Sequence, residues 1–141
     1  MRNSKRSGVV AACVVAATPF LSTSVSAGGL DGSSDIVCAL TEVVGCVEQG
    51  SCLQGRAKGF DLPGLFILDA EKKVIQNNFE SGDKSVSPVK GMERSGDHLV
   101  LQGVENGRGW DIAINVKTGT MSGAVVGDAV SILVFGVCTA P

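Results

Sequence analysis

After residue 35, apolar and polar residues alternate with a period of two, in short runs broken by glycine-containing turns. Capped helical stretches are lacking, and the combination predicts antiparallel strands. The clearest unit is a hairpin. Residues 99–104 and 110–116 flank Glu105-Asn106-Gly107-Arg108-Gly109, and Asn-Gly supplies the positive-φ positions of a tight hairpin turn. On its second strand Trp110, Ile112, Ile114 and Val116 share one face, while Asp111, Asn115 and Lys117 share the other. One side is expected to be buried and one wet.

Other strands follow from the same pattern. Leu65-Phe66-Ile67-Leu68 turns through 69–73 into Val74-Ile75. Residues 85–93 contain Pro88, which cannot donate to a ladder and so predicts an edge or a bulge. The run 129–137 is apolar on both faces from Ile132 to Phe135, as in a strand covered on both sides. Residues 36–47 admit a long strand or a short helix; Val37, Val43, Val44 and Val47 favour the strand. The longest irregular stretch, 53–64, ends in Pro63-Gly64, which fits the centre of a type II turn. The sum is an all-β domain, a single antiparallel meander of about eight strands curled into a small barrel or sandwich that hides its edges. We place it at 36–141, behind a flexible leader at 28–35 that shows no period.

The first 27 residues read differently. Arg2, Lys5 and Arg6 precede an apolar run over 8–21, and small residues end in Val25-Ser26-Ala27. This is the pattern of a signal peptide cleaved after Ala27, with an uncleaved anchor as its competitor. The run is shorter than the roughly 20 apolar residues of a spanning helix. Cleavage takes three of the 12 basic residues and none of the 14 acidic ones. A domain with nine basic residues against 14 acidic, and no basic run, is a poor partner for nucleic acid or, after cleavage, for a membrane surface. The expected location is the periplasm or the exterior.

Export gives the cysteines their meaning. Beyond Cys13, which lies in the apolar run, the chain has Cys38, Cys46, Cys52 and Cys138. An even number in a small exported domain predicts disulfides. Gaps of seven, five and 85 residues offer no Cys-x-x-Cys knuckle for zinc. Were Cys38 and Cys46 on one strand, they would stand roughly 26 Å apart, whereas a bridge needs Cα atoms within about 7 Å. Residues 47–51 form a natural tight loop. We therefore expect Cys46–Cys52 and Cys38–Cys138.

Candidate chemistry is sparse. On a regular strand Glu42 shares a face with Cys38, Leu40, Val44 and Cys46, which makes it a candidate buried carboxylate, the kind of group whose pKa and partners mark sites. The alternative is that a bulge or turn sends it outward, or that it meets Arg56 or Arg108. His98 stands alone at a strand mouth, a position usually solvated. Asp97 and Asp111 are candidates to face each other across the hairpin. No serine or cysteine stands in a nucleophile motif, and Gly107-x-Gly109 joins strand to strand rather than strand to helix, so it is no phosphate loop. Trp110 is the only tryptophan and tyrosine is absent, which disfavours sugar pockets built on several aromatic faces. Arg56, Lys58 and Phe60 in the irregular stretch, with Arg108 and Trp110, are candidates for contact with a partner. No catalytic set, metal set or cofactor is expected.

Cys38-Ala39-Leu40-Thr41-Glu42, the Cys46 to Cys52 loop, Asp61-Leu62-Pro63, the Leu101 to Trp110 hairpin, Lys117-Thr118-Gly119 and Phe135-Gly136-Val137-Cys138-Thr139 together resemble a group of small, uncharacterised exported proteins of proteobacteria. The resemblance covers nearly the whole chain after residue 27. It implies a Gram-negative origin and assigns no catalytic residue. Likeness to lipocalins is weaker: their Gly-x-Trp lies near the first strand, whereas Gly109-Trp110 falls late. The expected role is a periplasmic interaction or inhibitor-like module acting on another envelope protein. The alternatives are a carrier of a small apolar ligand inside the barrel, or a structural envelope protein.

Overall fold

The computed structural model describes residues 29–141; the 1–27 signal reading lies outside them. Nine strands form one antiparallel sheet: β1 (Ile36–Val47), β2 (Cys52–Gly55), β3 (Leu65–Asp69), β4 (Val74–Asn78), β5 (Lys84–Ser95), β6 (His98–Glu105), β7 (Arg108–Asn115), β8 (Thr120–Gly127) and β9 (Val130–Thr139). A single 3-10 turn, Ala57–Phe60, links β2 to β3. From β3 to β9 each strand pairs with its successor, and β9 pairs with β1 from Val37↔Thr139 to Val47↔Val130. The meander thus closes into an eight-stranded barrel. β1 is long enough to serve two neighbours, β3 at Ile36 to Ala39 and the extra strand β2 at Val43 to Cys46.

The hairpin expected at Asn106-Gly107 is the β6–β7 turn, and both residues adopt positive φ, 51° and 75°. β5 carries its irregularity between Val89 and Gly91, beside Pro88. A strand inside a closed barrel has no free edge, so the proline is accommodated by a bulge. Both disulfides form as expected. Cys38–Cys138 joins the first strand to the last, and Cys46–Cys52 clasps the β1–β2 hairpin.

An eight-stranded barrel is just wide enough to be filled by its own side chains. Ile36, Val43, Leu68, Leu99, Leu101 and Ile114 fill it here, each buried to 1% exposure or less. Strand direction defines two ends. At one lie the start of β1 and the turns β3–β4, β5–β6 and β7–β8; at the other lie the turns β4–β5, β6–β7 and β8–β9. The segment read as a flexible leader supplies a stopper for the first end. Its Leu30 is 1% exposed and belongs to the core, beside Gly119, which itself accepts the Cys138 N–H at 2.7 Å.

Three further expectations about strands and turns are corrected. The outward residues of β9 are not covered: Leu133, Phe135 and Val137 are 45%, 40% and 53% exposed. Only the alternate inward residues, Ile132, Val134 and Cys138 among them, reach the core. A period-two count cannot separate a covered apolar face from a bare one. Gly64 lacks the positive φ of a type II turn; the left-handed residue nearby is Asp61, at φ 54°. The third concerns Glu42.

Candidate functional site

β1 carries a bulge between Leu40 and Glu42. The extra residue puts Thr41 and Glu42 both outside and restores the inward count at Val43, which is fully buried. Glu42 is therefore exposed, not buried, as the bulge alternative has it, and accepts a hydrogen bond from Gln54 Nε2 at 2.7 Å rather than meeting an arginine. The same offset turns Cys46 outward, although it lies eight positions, an even step, beyond the buried Cys38.

The remaining candidates disperse. Arg56 and Lys58 are exposed around the 3-10 turn, whereas Phe60 is half-buried. Its ring lies on Gly45 and Gly55, and at Gly45 a side chain would collide with it. Asp97 does not face Asp111. It pairs with Lys117 at 2.8 Å, while Asp111 stands opposite Gln102 and accepts the Ala124 N–H at 3.1 Å. His98 is exposed at the start of β6. Among the described residues no three His, Cys, Asp or Glu side chains gather as a metal set, and no helix is long and apolar enough to cross a membrane.

Arg108 and Trp110 are brought together, at the end of the barrel opposite Leu30. Here the interior is not filled, and a cavity of ≈ 280 Å³ remains. Leu40, Phe66, Ile75, Ile112 and Val134 form its apolar floor. Asn77, Ser85, Ser87, Glu105, Arg108 and Trp110 line its polar upper part, with Leu62 and Pro63 from the β2–β3 connection. Trp110 stands opposite Gly103 and its indole lies against that residue. Any side chain at 103 would collide with the ring, so the glycine makes room for the tryptophan.

The polar upper part is a connected chain across β4, β5 and β6. Asn77 Nδ2 donates to Ser85 Oγ at 3.1 Å and to Ser87 Oγ at 2.9 Å. Ser87 Oγ donates to Glu105 Oε2. Asn77 and Ser87 are 8% and 2% exposed, and buried polar groups at such depth persist only when paired. The sequence carries a signal that reading strand by strand overlooks. Asn77 and Ser87 occupy inward positions, in phase with Ile75 and Val89, where a barrel filled only for stability would place aliphatic side chains. A second hollow, ≈ 360 Å³ between the β1–β2 and β8–β9 turns, contains no buried residue and lies outside the barrel.

The chain matches no family model, no curated protein and no solved structure. The class defined here is thus architectural: a small, doubly bridged, closed β-barrel with one stoppered end and one open, polar-rimmed end.

Proposed function

We propose that the protein is an exported binding module that takes a small, partly apolar ligand into the open end of its barrel. The cavity of ≈ 280 Å³, apolar at its floor and polar at its mouth, carries this reading. Small-molecule sites commonly pair an apolar enclosure with a few convergent polar groups. A barrel of this size filled solely for stability has no need of a buried Asn–Ser–Glu chain. Two disulfides accord with an oxidising compartment outside the cytoplasm.

The experiment is native mass spectrometry of protein isolated from its own compartment, followed by Ile112→Trp, which fills the floor. Retained small-molecule mass that Ile112→Trp abolishes is the expected outcome. A purely apo spectrum, together with no response of Trp110 fluorescence to any amphiphile, would refute it.

A second reading is an interaction module for another envelope protein, favoured by the outer wall. β1, β3, β8 and β9 carry no lysine or arginine, and Leu133, Phe135 and Val137 stand exposed on it. Bare apolar surface of this kind marks contact sites. A partner presenting an uncharged face, retained stoichiometrically by the wild type and lost with Phe135→Glu, is the expected result. Retention that survives the substitution would exclude this wall.

A further inference from the structure

Resting on the reading of the barrel mouth as a ligand site, we propose that the cavity selects its ligand by a primary ammonium group carried on an apolar body. The argument turns on which hydrogen-bonding atoms the wall has left over. Asn77 spends both amide hydrogens on Ser85 and Ser87, and Ser87 spends its proton on Glu105. Along the Asn77–Ser87–Glu105 chain this leaves the Asn77 amide oxygen and the second carboxylate oxygen of Glu105, Oε1, while the Ser85 hydroxyl, the Trp110 N–H, the Asn106 amide and Arg108 keep donors elsewhere on the lining. Both oxygens are acceptors. Among the described residues no buried side-chain nitrogen or oxygen lacks a partner, so these two unpaired oxygens are reachable, and both residues line the cavity.

An ammonium carries three donors and no acceptor, the complement of such a wall. Its hydrogen bonds to a carboxylate are charge-assisted and roughly twice as strong as neutral ones. A carboxylate head would bring only acceptors to the same oxygens and meet the charge of Glu105. The indole of Trp110 adds to the preference. The ring lies against Gly103, the strand position two residues before Glu105, and lines the cavity, where a cation is attracted to an aromatic face.

Arg108 is the group that could reverse the sign. It stands directly across the hairpin from Glu105, where opposite charges ordinarily pair. Yet among the described residues the two form no ion pair: Arg108 packs its stem over Gly127 on β8, and Glu105 turns to Ser87 on β5. With no ion pair to Arg108 among the described residues, Glu105 Oε1 stays free to accept from a ligand on the β4–β6 side.

The test uses the single tryptophan as its own reporter. Hexylamine, hexanol and hexanoate are titrated into the protein while Trp110 emission is followed. Hexylamine is expected to bind about tenfold more tightly than hexanol or hexanoate, and in Glu105→Gln the hexylamine-to-hexanol affinity ratio falls toward one. Glu105→Gln keeps an acceptor for Ser87, and far-UV circular dichroism verifies its fold. Hexanoate binding as tightly as hexylamine, or an affinity ratio untouched by Glu105→Gln, overturns the ammonium preference while leaving the cavity reading intact. No response to any of the three amphiphiles overturns the cavity reading itself.

Discussion

The two ends of the barrel solve opposite problems with the same strands. At the stoppered end several polar side chains are tied to one another or to the backbone. Lys72 pairs with Asp69 at 2.7 Å, Lys117 with Asp97 at 2.8 Å, Asp35 caps the Ala70 N–H, and Asn115 caps both Lys117 and Thr118. Leu30 fills the axis. At the open end Arg108 and Glu105 pass each other unpaired, and Asn77, Ser87 and Trp110 surround unfilled space. Stability is concentrated at one end, which frees the other to carry exposed acceptors and a void, both of which cost stability.

The disulfides give the sharpest way to break this contrast, because one sits toward each end. Cys38–Cys138 spans a separation of 100 residues and Cys46–Cys52 a separation of six. Chain-entropy arithmetic assigns about 4.7 kcal/mol to the first and about 2 kcal/mol to the second. Urea unfolding of the double variants Cys38→Ala/Cys138→Ala and Cys46→Ala/Cys52→Ala is expected to show losses in that order. Equal losses would mean that the two ends share the load.

Leu30→Ala comes next. Removing a fully buried leucine costs about 3 kcal/mol, read as a lower unfolding midpoint, whereas truncation of a flexible leader would cost nothing measurable. Ligand response at the far end should persist, since the barrel wall between them is intact.

The smallest effect is the response to acid. Hydrogen bonds from Lys72 and Lys117 hold the Asp69 and Asp97 carboxyls below their ordinary 3.8, and the Ser33 hydroxyl does the same for Asp31. A folded-state value below the unfolded one stabilises the fold fully above the ordinary carboxylate range, and that contribution is lost as pH falls through the lower folded values. Thermal midpoints should therefore drop below about pH 4, less steeply in Asp69→Asn/Asp97→Asn. An unchanged slope in the double variant would show that the stoppered end does not set acid stability.

What was legible in the sequence was local or metric. Asn106-Gly107 announces its turn because only certain residues tolerate two positive φ values in succession. The cysteine pairing follows from how far an extended strand reaches. The bulge at Thr41-Glu42 could be named only as an alternative to a regular strand, since one extra residue leaves composition and β propensity unchanged while inverting every face beyond it. Leu30 escaped for want of a period around it. The cavity wall escaped because Asn77, Ser87 and Glu105 belong to three strands, each holding a polar inward residue that looks incidental alone.

That one-residue offset in β1 has a chemical corollary. It hides one bridge inside the barrel, with Cys38 and Cys138 at 0% and 9% exposure, and turns the other out to solvent through Cys52. A thiol reductant thus meets two locks in sequence: the outer clasp by direct collision, the inner one only after the wall has opened. Partial reduction followed by alkylation is therefore expected to label Cys46 and Cys52 before Cys38 and Cys138.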